Sequence, residues 1–156
     1  MTSISASNGV LSFNPKDVNS YYYESFPCVQ AKSQGYGGIQ FTISYPAGSG
    51  FTLEVQSKAN CNDENYNSEW FEISGLSGTQ QVVTMDLGVY QEANLDGIVG
   101  FVFATFTKTG RYTLSDFKFV CGDLSSAKKR GLGKTHSLDR EIVGPRLANS
   151  SRAFRS

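Results

Sequence analysis

The feature that most constrains this chain is a series of alternating polar and apolar residues between Gly37 and Cys121, interrupted by turns rich in Gly, Ser and Asn. The segments 38–45 and 51–56 show the alternation most clearly. A period of two is typical of β-strands that have one buried face and one polar face. Because no convincing amphipathic helix lies among these strands, the chain is predicted to be all-β, with polar sheet faces that water or a ligand can reach.

Seven or eight such strands at short spacing predict an antiparallel β-sandwich or jelly roll. The linker 46–50, which contains Pro and two Gly, predicts a hairpin between the strands at 38–45 and 51–58. The almost entirely apolar segment 98–105 predicts a central strand that is covered on both faces.

The last predicted strand covers residues 110–120 and again alternates. If this alternation is regular, Phe117 and Phe119 lie on the face opposite Tyr112 and Leu114. The strand-prone run of three tyrosines at 21–23 has the same geometry, so either the middle tyrosine or the outer two must face outward.

The length of 156 residues suits one domain. Residues 10–122 are predicted to form the sandwich, after a flexible N-terminus at 1–9 and before a basic tail of low order at 123–156. Residues 1–121 hold six Lys or Arg and eleven Asp or Glu, a net charge of −5, whereas residues 122–156 carry +5. Nucleic-acid binding by the acidic domain is not expected, because phosphate contacts need a basic face.

The expected location is extracellular, because the low charge content, the many Tyr, Gly, Ser and Asn residues and the three cysteines are typical of secreted proteins. No apolar run has the length of a membrane span, and the first residues lack the pattern of a signal peptide. The chain is therefore expected to be a mature form, a fragment or a truncated gene product.

Three cysteines allow at most one internal disulfide. Cys28 can pair with Cys61 or with Cys121, and the sequence does not choose between them. The alternative is that all three are small buried side chains. The only histidine, His136, lies in the tail, so a zinc site is not expected.

Several segments resemble a β-sandwich module of fungal secreted proteins, which occurs alone or beside polysaccharide deacetylase-like domains. They are YYYESFPCVQ, GGIQFTISYP, FTLEVQSK, SEWFEISGL, ANLDGIVGFVF and LSDFKFVCG, together with the polar loop that contains Cys61. The resemblance covers about residues 10–122. It implies a galactose-binding-like jelly roll, a secreted protein and a carbohydrate ligand, with or without an appended carbohydrate-active domain.

Sugar-binding modules stack pyranose rings on aromatic side chains and hydrogen-bond the hydroxyls with planar polar groups. Residues of these kinds lie on the predicted polar strand faces or near loops, and the polar side chains of the two best strands would form one patch if those strands pair. Trp70 is an exposed platform or a core residue. The predicted ligand-binding residues are Gln40, Glu54, Gln56, Trp70, Tyr36, Tyr66 and Arg111.

The loop at 59–68 is rich in oxygen-bearing side chains, which makes Asn62, Asp63 and Glu64 weak candidates for a structural calcium ion. An ordinary polar loop is the alternative, and no other cofactor is predicted. Catalysis is not expected either. The domain has no histidine base and no GxSxG or HExxH motif, and no pair of carboxylates is singled out among Glu54, Glu72 and Asp116.

The sequence therefore predicts a non-catalytic carbohydrate-binding module that recognises a cell-wall polysaccharide. The alternative is an extracellular structural or protein-interaction domain of the fungal cell surface. A polar and aromatic groove would favour sugar, and a contiguous exposed apolar patch would favour protein.

Overall fold

A computed structural model describes residues 1–77 and 80–122 in full and the backbone of residues 133–135. The described residues form ten β-strands and one 3-10 helix at Leu87–Val89. The strands are β1 (Ser3–Ser7), β2 (Val10–Asn14), β3 (Tyr21–Val29), β4 (Tyr36–Ser44), β5 (Phe51–Ser57), β6 (Asn67–Ile73), β7 (Gln81–Asp86), β8 (Ile98–Ala104), β9 (Tyr112–Cys121) and β10 (Gly133–Thr135). No helix within these residues is long and apolar enough to cross a membrane.

The strands form two five-stranded sheets in which every pairing is antiparallel. The first sheet has the order β1-β2-β9-β4-β7, and the second has the order β10-β6-β5-β8-β3. The predicted all-β antiparallel sandwich is confirmed. Each sheet contributes one apolar face to a shared core, as the period of two in the sequence requires.

The core is dominated by aromatic rings from both sheets. Phe13 of the first sheet stacks on Tyr112, with ring centroids 5.6 Å apart, and also contacts Tyr22 of the second sheet at 6.0 Å. Phe41 of the first sheet meets Phe103 of the second edge to face at 5.8 Å. Burial of a large apolar side chain of this kind contributes about 1.5–3 kcal/mol, so these rings are a major part of what holds the two sheets together.

The strand β9 does not alternate regularly, which makes the expectation for its two phenylalanines wrong. The pairing of β4 with β9 shifts register between Gln40 and Thr42, and Asp116 has a φ of 54° in the left-handed region. One extra residue in a strand reverses which side chains face inward beyond it. Phe117 therefore lies inside, stacked on Phe41 at 5.7 Å, on the same face as Tyr112 and Leu114.

The segment 46–50 does not close a hairpin, because β4 and β5 lie in different sheets. The linker carries the chain from one sheet to the other. β8 lies between β5 and β3, and its side chains are almost all buried on both faces, as its apolar sequence predicts. The central position within the second sheet belongs to β5.

Both predicted flanking segments contain strands. Residues 1–9 are predicted to be a flexible N-terminus, but Ser3–Ser7 forms β1 and pairs with β2. The two strands are joined by a tight turn in which Asn8 and Gly9 have positive φ values. Most of the predicted low-order tail, with His136, lies outside the described residues. Within it, Gly133–Thr135 pairs with β6, which places Lys134 opposite Glu72 in register.

The bulge in β9 leads to a stability prediction for two neighbouring residues. Phe119 contacts Phe26, Tyr36 and Phe101 at centroid distances of 6.2, 5.6 and 6.0 Å, whereas Lys118 is exposed. We expect Phe119→Ala to lower the free energy of unfolding by about 2–3 kcal/mol, and Lys118→Ala to change it by less than about 0.5 kcal/mol. Urea denaturation followed by fluorescence measures both values, and equal small effects would contradict the bulged register.

Candidate functional site

The outward-facing side chains of β6, β5, β8 and β3 form an ordered surface, which we call the polar face. The strand registers align them in three rows across the sheet. The first row is Glu72, Thr52, Ala104 and Tyr21, the second is Trp70, Glu54, Val102 and Tyr23, and the third is Ser68, Gln56, Gly100 and Ser25.

Aromatic side chains stand at both ends of the middle row. Trp70 on β6 and Tyr23 on β3 are half-buried, and three strand spacings separate them, about 14 Å. Tyr21 lies next to Tyr23 on the same face, while Tyr22 points into the core and is 3 % exposed. The alternation of the three tyrosines is thus resolved with the outer two facing outward.

The centre of the polar face is hydrophilic and yet buried. Glu54 is 0 % exposed, Gln56 and Thr52 are 6 % exposed, and Ser68 is 1 % exposed. Thr52 donates a hydrogen bond from Oγ1 to the carbonyl oxygen of Ala104 at 3.2 Å. Carboxylate, amide and hydroxyl groups therefore converge between the aromatic ends, which supplies both donors and acceptors in one place.

Gly100 shapes the floor of the third row. A Cβ atom at this position would lie 2.7 Å from the carbonyl oxygen of Glu24 and 2.9 Å from Oε1 of Gln56. Such distances are too short for any side chain, so glycine is required here for the amide of Gln56 to lie over the backbone of β8.

A solvent-open pocket of about 340 Å³ occupies one end of the polar face. Tyr21, Tyr23 and Gln56 line one side, and a wall formed by the loop after β5 stands beyond the third row. That wall includes Lys58, Cys61, Glu64 and Tyr66. Pockets of a few hundred Å³ that combine aromatic rings with a few polar groups are typical of small-molecule and sugar sites.

A disulfide holds this wall in place and settles the pairing that the sequence left open. Cys28, at the end of β3, is bonded to Cys61, with a Cα–Cα distance of 5.6 Å. Cys121 is a free, exposed thiol at the end of β9. Because both bonded cysteines line the pocket, the disulfide ties the loop directly to the edge of the polar face.

Hydrogen bonds fix the neighbouring loop between the 3-10 helix and β8. The carboxylate of Glu69 accepts from the backbone N–H groups of Gln91, Glu92 and Ala93 at 2.9, 2.9 and 3.0 Å. Asn94 donates from Nδ2 to the carbonyl oxygens of Lys58 and Ala59 at 2.8 and 3.1 Å. These contacts stabilise the base of the wall, so Glu69 has a structural role.

Four of the seven predicted ligand residues meet at the polar face. Glu54, Gln56 and Trp70 belong to it, and Tyr66 lies in the pocket wall. The predicted single patch is nevertheless wrong for Gln40, because β4 lies in the first sheet, where Gln40 Nε2 donates to Thr84 Oγ1 at 3.0 Å.

The remaining two predicted ligand residues also lie on the first sheet. Tyr36 begins β4 and packs against Phe119 with ring centroids 5.6 Å apart, so it borders the core and is not a loop platform. Arg111 is exposed next to β9 and donates from Nη2 to Oγ of Ser12 at 3.2 Å. Neither side chain lines the pocket.

The predicted calcium candidates lie in the loop after β5. Asp63 accepts a hydrogen bond from the backbone N–H of Asn60 at 3.0 Å, and Asn60 Oδ1 accepts from that of Asn62 at 3.0 Å. Glu64 contributes to the pocket wall instead. Among the residues that the structure describes, no group of three His, Cys, Asp or Glu side chains is arranged to hold a metal ion.

Four further residues at the polar face or its pocket are not among the predicted ligand-binding residues: Tyr21, Tyr23, Lys58 and Ser68. The alternation of the three tyrosines already indicated that one or two of them face outward, so a signal for Tyr21 and Tyr23 was present. Lys58 follows Gln56 by two residues, so alternation along the predicted strand 51–58 was a signal for it as well. Ser68 comes next to Gln56 only because β5 pairs with β6, which local patterns do not specify.

Two solved structures with a similar fold are carbohydrate-binding modules. The family 30 carbohydrate-binding module of a cellulosomal cellulase from Clostridium thermocellum superimposes with a TM-score of 0.57 at 14% identity, covering 76% of this chain and 79% of that one. A second family 30 carbohydrate-binding module gives 0.58 at 14% identity, covering 76% and 71%. No protein-family model matches the chain, and no curated protein matches its sequence. At this identity the likeness establishes the shared sandwich fold.

The disulfide leads to a prediction about stability. It closes a loop with a sequence separation of 33 residues, so its removal is expected to cost about 3–4 kcal/mol through loop-closure entropy. We expect the double variant Cys28→Ser/Cys61→Ser to lose this stability in urea denaturation, while Cys121→Ser unfolds like the unmodified protein. Equal destabilisation by both would contradict the assigned pairing.

Proposed function

We propose that the protein is a non-catalytic carbohydrate-binding module that holds a cell-wall polysaccharide on the polar face. The observation that carries the proposal is the middle row, in which Trp70 and Tyr23 flank the buried carboxylate of Glu54. Aromatic rings offer their π-faces to the C–H groups of a pyranose. The amide of Gln56, which lines the pocket, can donate hydrogen bonds to sugar hydroxyls and accept hydrogen bonds from them.

The shape of the site supports a polymer over a single small sugar. The aromatic ends of the row are about 14 Å apart across four strands, and the pocket beyond Tyr23 continues towards the loop wall. An extended ligand can contact the aromatic side chains at both ends of the row at once, whereas a single sugar ring reaches only one of them. The two carbohydrate-binding modules with the same sandwich fold add independent support.

The arrangement of carboxylates supports binding without catalysis. Glycoside hydrolysis by the usual route needs two carboxyl groups that flank the scissile bond. Glu54 and Glu72 are diagonal neighbours on one sheet face, so they approach a ligand from the same side. Asp116 belongs to β9 in the other sheet and does not line the pocket.

An extracellular location belongs to the same proposal. The Cys28–Cys61 disulfide is a covalent part of the site wall, and disulfides persist in oxidising compartments. In that setting the module would concentrate an appended carbohydrate-active domain, or the wall protein that contains it, at the surface of the polymer.

Binding of the full chain to insoluble polysaccharides tests the proposal. The panel is chitin, chitosan, β-1,3-glucan and cellulose, with soluble oligosaccharides as competitors. We expect selective, competable retention, weakened about tenfold by Trp70→Ala, Tyr23→Ala or Gln56→Ala because each removes a stacking or hydrogen-bonding group.

The matched control is Gln40→Ala, since this glutamine lies on the other sheet and should leave retention unchanged. Thermal unfolding of each variant checks that the fold is intact. No retention of the folded protein on any polymer would overturn the proposed function. If Gln40→Ala lost as much retention as the variants of the polar face, the polar face would not be the binding site.

A further inference from the structure

A second cavity lies on the inner side of β3, away from the polar face. It is a cleft of about 390 Å³ between β3 and β8 of the second sheet and the strands β1, β2 and β9 of the first. Because successive residues of a strand point to opposite faces, Tyr21 and Tyr23 line the pocket at the end of the polar face, whereas Tyr22 and Glu24 line this cleft. We call it the aromatic cleft.

The walls of the aromatic cleft are made mostly of hydrocarbon. Phe101 and Phe103 form its floor and are each 1 % exposed, while Phe26 and Phe117 at its sides are half-buried. The ring of Phe101 lies 5.1 Å from that of Phe117 and 5.9 Å from that of Phe26. The cleft therefore offers ring faces and edges to a flat or elongated apolar group of small-molecule size.

The charge at the cleft has one sign. Among the described residues that line it, Glu24 and Asp116 are acidic and none is Lys, Arg or His. The domain as a whole also carries an excess of acidic residues, with a net charge of −5 over residues 1–121. An ammonium group is attracted both by carboxylates and by the negative faces of aromatic rings.

The carboxylate of Glu24 is held in place by a buried phenol. The hydroxyl of Tyr22 donates a short hydrogen bond to Glu24 Oε1, and the ring of Tyr22 packs between Phe13 and Phe103 at 6.0 and 6.1 Å. Burial, aided by the neighbouring carboxylate, raises the pKa of Tyr22 above its usual value. The phenol therefore keeps its proton and continues to orient Glu24.

The second carboxylate, that of Asp116, is positioned by the bulge in β9. Asp116 adopts a φ of 54°, and Ser115 Oγ donates to Asp116 Oδ2 at 3.4 Å. Bulges re-aim side chains at the edges of sheets and next to binding sites. Here the bulge turns Phe117 inward to form a side of the cleft and leaves the carboxylate of Asp116 among the lining residues.

We propose that the aromatic cleft is a second ligand site, which binds a small amphipathic cation: an aromatic or alkyl body carrying one amine. The body packs against Phe26, Phe101 and Phe117, and the ammonium group pairs with Glu24 and Asp116. The two carboxylates and the rings of Phe101 and Phe117 line this cleft and not the pocket at the polar face, whereas Ser25 and Phe26 line both cavities.

An inward-pointing charge on an edge strand can also serve only to prevent edge-to-edge aggregation. That role would explain Glu24 in β3 without any ligand. If this were the only role of Glu24, the cleft would bind no apolar molecule, and it would not distinguish small molecules that differ only in charge. A set of probes of equal shape therefore separates the two explanations.

The probes are tryptamine, tryptophol and indole-3-propionate, which share an indole ring and differ in carrying an ammonium, a hydroxyl or a carboxylate group. Their binding to the full chain is measured by calorimetry and by ligand-observed NMR. We expect tryptamine to bind about tenfold more tightly than tryptophol, and indole-3-propionate not to bind.

Two conservative variants test the residues. Glu24→Gln and Asp116→Asn keep size and backbone preference, since Asn tolerates the left-handed conformation as well as Asp does. Together they should weaken tryptamine binding about tenfold and leave tryptophol binding unchanged. Glu92→Gln, an exposed carboxylate outside the cleft, is the matched control and should have no effect.

Two further variants locate the site. Ala6→Trp places a large ring at an exposed position in the lining and should abolish tryptamine binding. Trp70→Ala alters only the polar face and should leave it unchanged. Each variant is checked by its melting temperature.

The proposal is overturned if the folded protein binds none of the three probes, or if tryptamine and tryptophol bind equally well. It is also overturned if Ala6→Trp binds tryptamine as before. None of these results bears on polysaccharide retention, so the failure of one proposal is distinguishable from the failure of the other.

Discussion

The packing of aromatic rings between the two sheets is the interaction on which the rest of the structure depends, and it is complete only because β9 contains a bulge. Tyr112 and Leu114 face the core before the bulge, and Phe117 and Phe119 face it afterwards. A regular strand would expose the second pair to solvent and would remove the contacts that these two rings make with Phe26, Phe41 and Phe101. The left-handed conformation of Asp116 costs some free energy, which the burial of two phenylalanines offsets.

The edge strand β3 connects this core with both candidate sites. Its inward side chains include Tyr22, which packs on Phe13 and Phe103, and its outward side chains Tyr21 and Tyr23 form one end of the polar face. Cys28 lies one residue before the end of the strand, and its disulfide to Cys61 holds the wall of the pocket. A substitution at Tyr21 or Tyr23 therefore alters the polar face, whereas one at Tyr22 or Glu24 alters the core or the aromatic cleft.

Much of the fold could be predicted from local patterns. The period of two identified most strands, and the almost entirely apolar sequence of 98–105 indicated a strand buried on both faces. The prediction of a ligand site included Glu54, Gln56 and Trp70, which lie on one sheet face, because alternation fixes which residues of one strand share a face. It failed to group them correctly with Gln40, because which strands become neighbours is a property of the whole chain.

By itself the sequence determined the fold class, the acidic character of the domain and the set of side chains on each face of the regular strands, since these follow from residue type and period. Only the tertiary structure decided the pairing of Cys28 with Cys61, the assignment of β4 and β5 to different sheets, and the bulge that turns Phe117 inward. The physical reason is the same in each case. These features depend on contacts between residues far apart in the chain, whose free energies compete with one another and leave no signal in the local pattern.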